Sequence, residues 1–155
     1  MVPGLGGQSL SRSDINRSRI RAAQEEPGLV FSPWLDAPPP SASMPALEAG
    51  RCARYQGGDA FERFHFALFR AYFELSRDIS SRSVLLSLAK DAGLDLARFA
   101  SDVEGGRARA ELAEQAERVG SDFTGVPTVV FGKGLPLVGA VPIEVYRRAL
   151  EKLGT

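Results

Sequence analysis

The chain has 155 residues, 44% of them hydrophobic, which suits one domain with a real core. Lysine plus arginine equals aspartate plus glutamate at 19 each, so the net charge is zero, and a basic surface for nucleic acid or anionic membrane is excluded. No run of about 18 apolar residues exists to span a bilayer, and a single cysteine, Cys52, with a single histidine, His65, excludes an internal disulfide and a Cys/His zinc site.

Residues 1–11 are Gly-rich, lack a signal-like apolar segment and read as a flexible lead. Residues 12–26 predict a short amphipathic helix stopped by Pro27-Gly28. Leu29-Val30-Phe31 is a short apolar run expected to be a strand. The segment SPWLDAPPPSASMP follows; its prolines fix φ and remove N–H donors, so it is an extended connector, with Trp34 as its packing anchor.

The next stretch reads as helical. A helix is expected over 46–56, ended by Gly57-Gly58. Asp59 is placed to cap the following helix, with Glu62 as its capping-box partner. That helix carries Phe61, Phe64, Leu68, Tyr72 and Leu75 on one stripe, widened by Phe66, Phe69 and Phe73. Burial on two sides is expected from so much apolar surface. A helix from Ser80 or Ser81 ends at Gly93, and Asp95 caps a short one through Val103. Gly105-Gly106 separates it from a last helix over 107–119. Beyond Gly120 the period changes. Thr128-Val129-Val130-Phe131 and Leu135-Pro136-Leu137-Val138 predict an antiparallel hairpin, and Pro142 opens a helix running to about residue 153.

The order of these elements, with GVPTVVFGKGLPLVGAVPIEVYRRALEKL at residues 125–153 and ALFRAYFELSRDISSRSVLLSLAKDAGLDLARF in the helical block, resembles the DsbA family. The likeness is to its FrnE-like branch, which is similar to 2-hydroxychromene-2-carboxylate isomerases. The resemblance implies an α/β, thioredoxin-like fold built from residues 12–42 and 121–155, with an all-helical insert over 43–120. It also implies a substrate loop at Gly125, Val126, Pro127 and Thr128. There the Val126–Pro127 bond is cis, and the Val126 backbone pairs with an extended thiol or peptide substrate.

The family's redox centre is a Cys-x-x-Cys between the first strand and first helix, and the sequence holds no such pair. The expectation is therefore a DsbA-family oxidoreductase domain that lacks its first strand and is inactive as it stands. A non-catalytic peptide- or partner-binding protein, and a glutathione-dependent isomerase relative, are the alternatives. Cys52 is expected to be a buried helix residue and His65 a packed or rim residue; Asp36 and Glu48 form no carboxylate pair. No catalytic residue, metal site or cofactor is expected within the chain, and the setting is expected to be the cytoplasm. With the central first strand absent, residues 29–31 and 128–131 would be left with open edges, so association with a second copy is also expected.

Overall fold

The computed structural model describes residues 11–35, 38–119, 125, 127–132 and 136–153. The chain divides into two compact units, residues 1–112 and 113–155.

In the first unit, α1 (Arg12–Glu25) starts at Ser11, whose hydroxyl accepts the Asp14 N–H at 3.2 Å. The connector after α1 returns along it in extended form. The Asn16 side chain clasps Trp34 from both sides, accepting its N–H at 2.8 Å and donating to its carbonyl at 3.0 Å. Four further helices follow in this unit: α2 (Met44–Arg54), α3 (Gly58–Phe73), α4 (Arg82–Asp91) and α5 (Leu96–Glu104). α6 (Arg107–Val119) crosses the boundary between the units.

The core forms where α2 packs on α3, α4 and α5. α2 presents only small groups, Ala46, Ala49, Cys52 and Ala53, so its neighbours approach closely. Phe64 of α3 and Phe99 of α5 fill the space, their rings 5.5 Å apart. Leu68, Leu85, Leu88 and Ala89 complete the cluster.

Arg19 is the one buried cation among the described residues. Its guanidinium donates to the carbonyls of Ser32 and Tyr72 (2.7 Å to the latter) and to the Ser76 hydroxyl at 3.1 Å. It also lies over the rings of Tyr72 and Trp34, 4.6 and 5.2 Å from their centroids. One side chain of α1 thus ties the connector to the C-terminal end of α3.

Three expectations are corrected here. Residues 29–31 are not a strand: no strand is present beside them among the described residues of this unit, and a ladder needs a partner. Only the Ser32 N–H reaches across, to the Phe73 carbonyl at 2.8 Å. Leu29 and Val30 are exposed. Asp59 is not a cap. Gly57, at φ +120°, ends the turn earlier, so α3 begins at Gly58 and Asp59 sits in its first turn, where a carboxylate still suits the helix dipole. Nor is α3 buried on two sides: Phe64 and Leu68 are covered, while Phe66 and Phe69 are 64% and 51% exposed. Of the expected starts at Ser80 or Ser81 and at Asp95, Ser81 takes the N-cap position of α4 without a side-chain cap bond and Asp95 caps α5, accepting the Arg98 N–H at 3.0 Å; Gly93 takes the left-handed conformation that ends α4.

In the second unit, β1 (Thr128–Val129) pairs antiparallel with β2 (Leu137–Val138), Thr128 opposite Val138 and Val129 opposite Leu137. The expected hairpin is thus present with a ladder of two residues per strand; residues 133–135 lie outside the described residues. α7 (Ile143–Glu151) follows, with Pro142 as its N-cap, and Tyr146 meets Phe131 edge to face at 6.3 Å.

Replacing Arg19 by Leu leaves the Tyr72 carbonyl without its side-chain donor and the Ser32 carbonyl with the Ser76 hydroxyl in place of two donors, at about 1–3 kcal/mol for a buried group left unpaired. We expect urea denaturation to show a loss of about 2 kcal/mol or more. Arg17→Leu removes only an exposed pair with Asp14 and should cost less than about 1 kcal/mol. Equal losses would show that the Arg19 clasp is not what holds the connector.

Candidate functional site

Catalysis by thiol exchange needs a thiolate, and Cys52 is poorly placed to be one. It sits in the middle of α2 with no exposed surface. Burial raises its pKa to about 11, helped by the carboxylates of Asp102, Glu48 and Glu111. A reactive cysteine has the opposite surroundings: a helix N-terminus, neighbouring cations and access to solvent.

Two of the acidic groups around it are engaged by hydrogen bonds; the third, Asp102, keeps a buried Oδ2 with no hydrogen bond, 3.7 Å from Arg98 Nε. Glu48 is buried and receives Arg109 in a forked pair, Nε at 2.5 Å and Nη2 at 3.2 Å. Glu111 accepts the Tyr55 hydroxyl and Arg107 Nε, both at 2.8 Å, which together hold its carboxyl below the usual glutamate range. His65 lies half-buried between Phe69 and Phe61, with ring centroids 4.7 and 5.3 Å away. No acid or hydroxyl is bonded to its ring among the described residues, so it has no partner to orient it as a base. Among the described residues no cluster of His, Cys, Asp and Glu could hold a metal ion. Asp36 lies outside the described residues.

The loop expected to bind substrate leads into β1. Thr128 Oγ1 donates to the Gly125 carbonyl at 2.5 Å, closing the turn. Gly125 has a steric reason to be glycine: a Cβ there would stand 3.0 Å from Val138 Cγ1. The Gly139 N–H donates to the Pro127 carbonyl at 2.7 Å, extending the ladder by one pair. Antiparallel pairs alternate between hydrogen-bonded and non-hydrogen-bonded. Pro127 opposite Gly139 is bonded, so Thr128 turns its N–H and C=O away from β2. The sheet order is β1-β2, so among the described residues that side of β1 is an unpaired edge. Gly125, Pro127 and Thr128 therefore come together; Val126, and with it the expected cis bond, lies outside the described residues.

Sequence reasoning missed a second feature, an open apolar groove of about 560 Å³ between α2 and α3. Leu47, Phe61, Leu68, Phe69, Tyr72 and Phe73 form its walls, and Arg51 and Arg54 stand at one end. The available signal was the excess of aromatic residues on α3, more than one core face requires.

Residues 18–151 match the DSBA-like thioredoxin domain. The chain belongs to this family. Its fold is the DSBA-like thioredoxin fold, mostly helical, with a small two-stranded sheet among the described residues. Among its relatives, the ClpXP adapter protein SpxH of Halalkalibacterium halodurans is 31% identical over 127 residues, covering 77% of this chain and 41% of SpxH. YwbO of Bacillus subtilis is 32% identical over 106 residues, covering 59% of this chain and 52% of YwbO. The chain thus spans about half the length, or less, of these relatives. No helix among the described residues is long and apolar enough to cross a membrane.

The thiol gives a pH test. At pH 8 alkylation of native Cys52 by iodoacetamide should be far slower than in guanidinium, and should rise with pH toward about 11. The folded thiol titrates above an unfolded one, near 8.5. Its contribution to stability is therefore complete below that value and is lost as pH rises toward 11. Rapid alkylation at pH 7 in the folded state would show an accessible, activated thiol instead.

Proposed function

We propose that this chain is a protein-binding module of the DSBA-like family that holds an extended partner segment along β1, and that its own residues carry no dithiol exchange. The observation that carries the reading is the edge of β1 left unpaired among the described residues, headed by Gly125, Pro127 and Thr128. An extended segment laid there gains main-chain hydrogen bonds whatever its sequence, and side-chain pockets on alternate residues then select among partners. A mixed-disulfide cycle needs a second thiol to resolve it, and Cys52 is alone, buried and protonated. Support for a protein partner comes from SpxH, which is named as a ClpXP adapter protein. A free thiol suits a reducing compartment such as the cytoplasm.

The second reading is a thiol-disulfide oxidoreductase whose Cys-x-x-Cys lies outside these 155 residues. Membership of the DSBA-like family favours it. Both readings use the β1 edge, and the enzymatic one requires added sulfur.

Two measurements test the proposal. Insulin reduction by dithiothreitol should run at the uncatalysed rate with this chain present, and Cys52→Ser should change nothing. Binding of an extended apolar decapeptide, followed by amide chemical shifts, should perturb Thr128 and Val130. Val130→Pro removes a donor on the outward edge without touching the Val129–Leu137 pair. It should weaken the peptide about tenfold, roughly 1.4 kcal/mol, at unchanged melting temperature. Acceleration of insulin reduction that vanishes in Cys52→Ser, or peptide binding indifferent to Val130→Pro, would refute it.

A further inference from the structure

Arg19 carries a charge that its neighbours do not balance. Its hydrogen-bond partners, the carbonyls of Ser32 and Tyr72 and the Ser76 hydroxyl, are neutral, and so are the Trp34 and Tyr72 rings beside it. A buried cation is ordinarily paired with a carboxylate, because charge is costly away from water. The same place holds a surplus of donors. Arg19 Nε and Trp34 Nε1 are both buried, and neither makes a hydrogen bond among the described residues. The Arg19 guanidinium carbon is 5.2 Å from the Trp34 ring centroid, so these two N–H groups are neighbours.

The acceptors around them are taken. The Ser32 and Pro33 carbonyls accept the Ser76 hydroxyl at 3.0 and 3.2 Å. The Trp34 carbonyl accepts the Asn16 amide at 3.0 Å, and the Leu35 carbonyl accepts Arg12 at 2.9 Å. The Tyr72 carbonyl accepts Arg19, and the Phe73 carbonyl accepts the Ser32 N–H. A group that completes this cluster must accept hydrogen bonds, bring no donors that need partners, and carry negative charge. Water fails the last two conditions, since its hydrogens need acceptors in turn.

We infer that Arg19 and Trp34 form a binding site for a small monatomic anion, chloride, held between the Arg19 Nε–H and the Trp34 Nε1–H. Burial sets the size of the ligand. Arg19 is 4% and Trp34 1% exposed, so the site suits a single small ion and shuts out an extended acid. The indole N–H lies on the edge of its ring, where the aromatic quadrupole is positive, so the ion meets Trp34 on its favourable side. The cluster joins α1, the connector and the C-terminal end of α3. An ion bound there stabilises that junction by mass action, and chloride concentration then sets how firmly the connector is held. Nothing in this site depends on β1.

Trp34 is the chain's one tryptophan, so its indole N–H gives a single ¹⁵N–¹H signal that reads the site directly. The test titrates the full chain, uniformly labelled with ¹⁵N, with sodium chloride replacing sodium gluconate at constant ionic strength. The indole signal should move saturably with a midpoint at about 10 mM chloride, and the melting temperature should rise by about 3–6 °C at about 200 mM. Trp34→Phe keeps a ring beside Arg19 and deletes one donor. It should raise the chloride midpoint, read from the melting temperature, about fivefold or more. Arg19→Leu should remove the response of the indole signal, and Arg17→Leu, at an exposed position of the same helix, should leave it unchanged. An indole signal that does not move with chloride, a response that survives Arg19→Leu, or a chloride midpoint that is the same in Trp34→Phe would each overturn the inference. So would a nuclear Overhauser effect from a long-lived water to the indole N–H that chloride leaves in place, because water would then hold the site.

Discussion

The small-residue face of α2 sets the terms for the whole helical unit. Ala46, Ala49 and Ala53 let α3 and α5 approach closely enough for Phe64 and Phe99 to meet. Close packing of this kind tolerates little change of volume. Cys52 belongs to the same face, which is why its sulfur is buried and protonated. The groove has the same origin. Where Leu47 and Gly50 of α2 face the aromatic residues of α3, Gly50 has no side chain to fill the space between them. Core, inert thiol and open cleft are consequences of one run of small residues.

A second constraint is the way the connector is held. An extended segment ordinarily satisfies its backbone by pairing in a sheet, and residues 29–31 have no such partner among the described residues. Arg19 takes over part of that work. It supplies donors to carbonyls from residues 32 and 72, which are far apart in sequence, and its planar group stacks on the rings that surround it. A buried guanidinium costs solvation, which these bonds and ring contacts offset. The cost also explains why Trp34 and Tyr72 sit where they do: they keep water from Arg19 while remaining in contact with it.

What the sequence made legible was local. Ser81 and Asp95 start helices, and Gly93 and Gly106 end them, because capping depends on a few adjacent residues and on φ. Asp59 misled because a glycine at φ +120° two residues earlier takes the N-cap position. The strand at residues 29–31 misled because apolar runs specify strand only when a neighbour exists. Arg19 could not be read at all. Nothing near it in sequence marks it as buried, and its partners lie 13, 53 and 57 residues away. The groove was half legible: the surplus of phenylalanine on α3 was plain, but the reason for the surplus was not. Of the loop at residues 125–128, the turn and the ladder were anticipated from the hairpin pattern, and the outward-facing Thr128 backbone follows from register rather than from residue type.

The disposition of charge argues for recognition over catalysis. An active site keeps titratable groups in reserve, with pKa values moved toward the working pH and a partner aimed at each. Here two of the acidic groups near the thiol serve packing: Glu48 is locked to Arg109, and Glu111 is held by Tyr55 and Arg107. Their negative field also pushes the Cys52 pKa up, away from reactivity. His65, the residue most apt for proton transfer at neutral pH, lies among phenyl rings with no acid or base bonded to it among the described residues. What remains uncommitted is a backbone edge at β1 and an apolar cleft with a guanidinium at its mouth. Neither needs a group that changes protonation. Recognition at the β1 edge, as proposed, rests on shape and hydrogen-bond direction, properties that do not depend on the state of the Cys52 thiol.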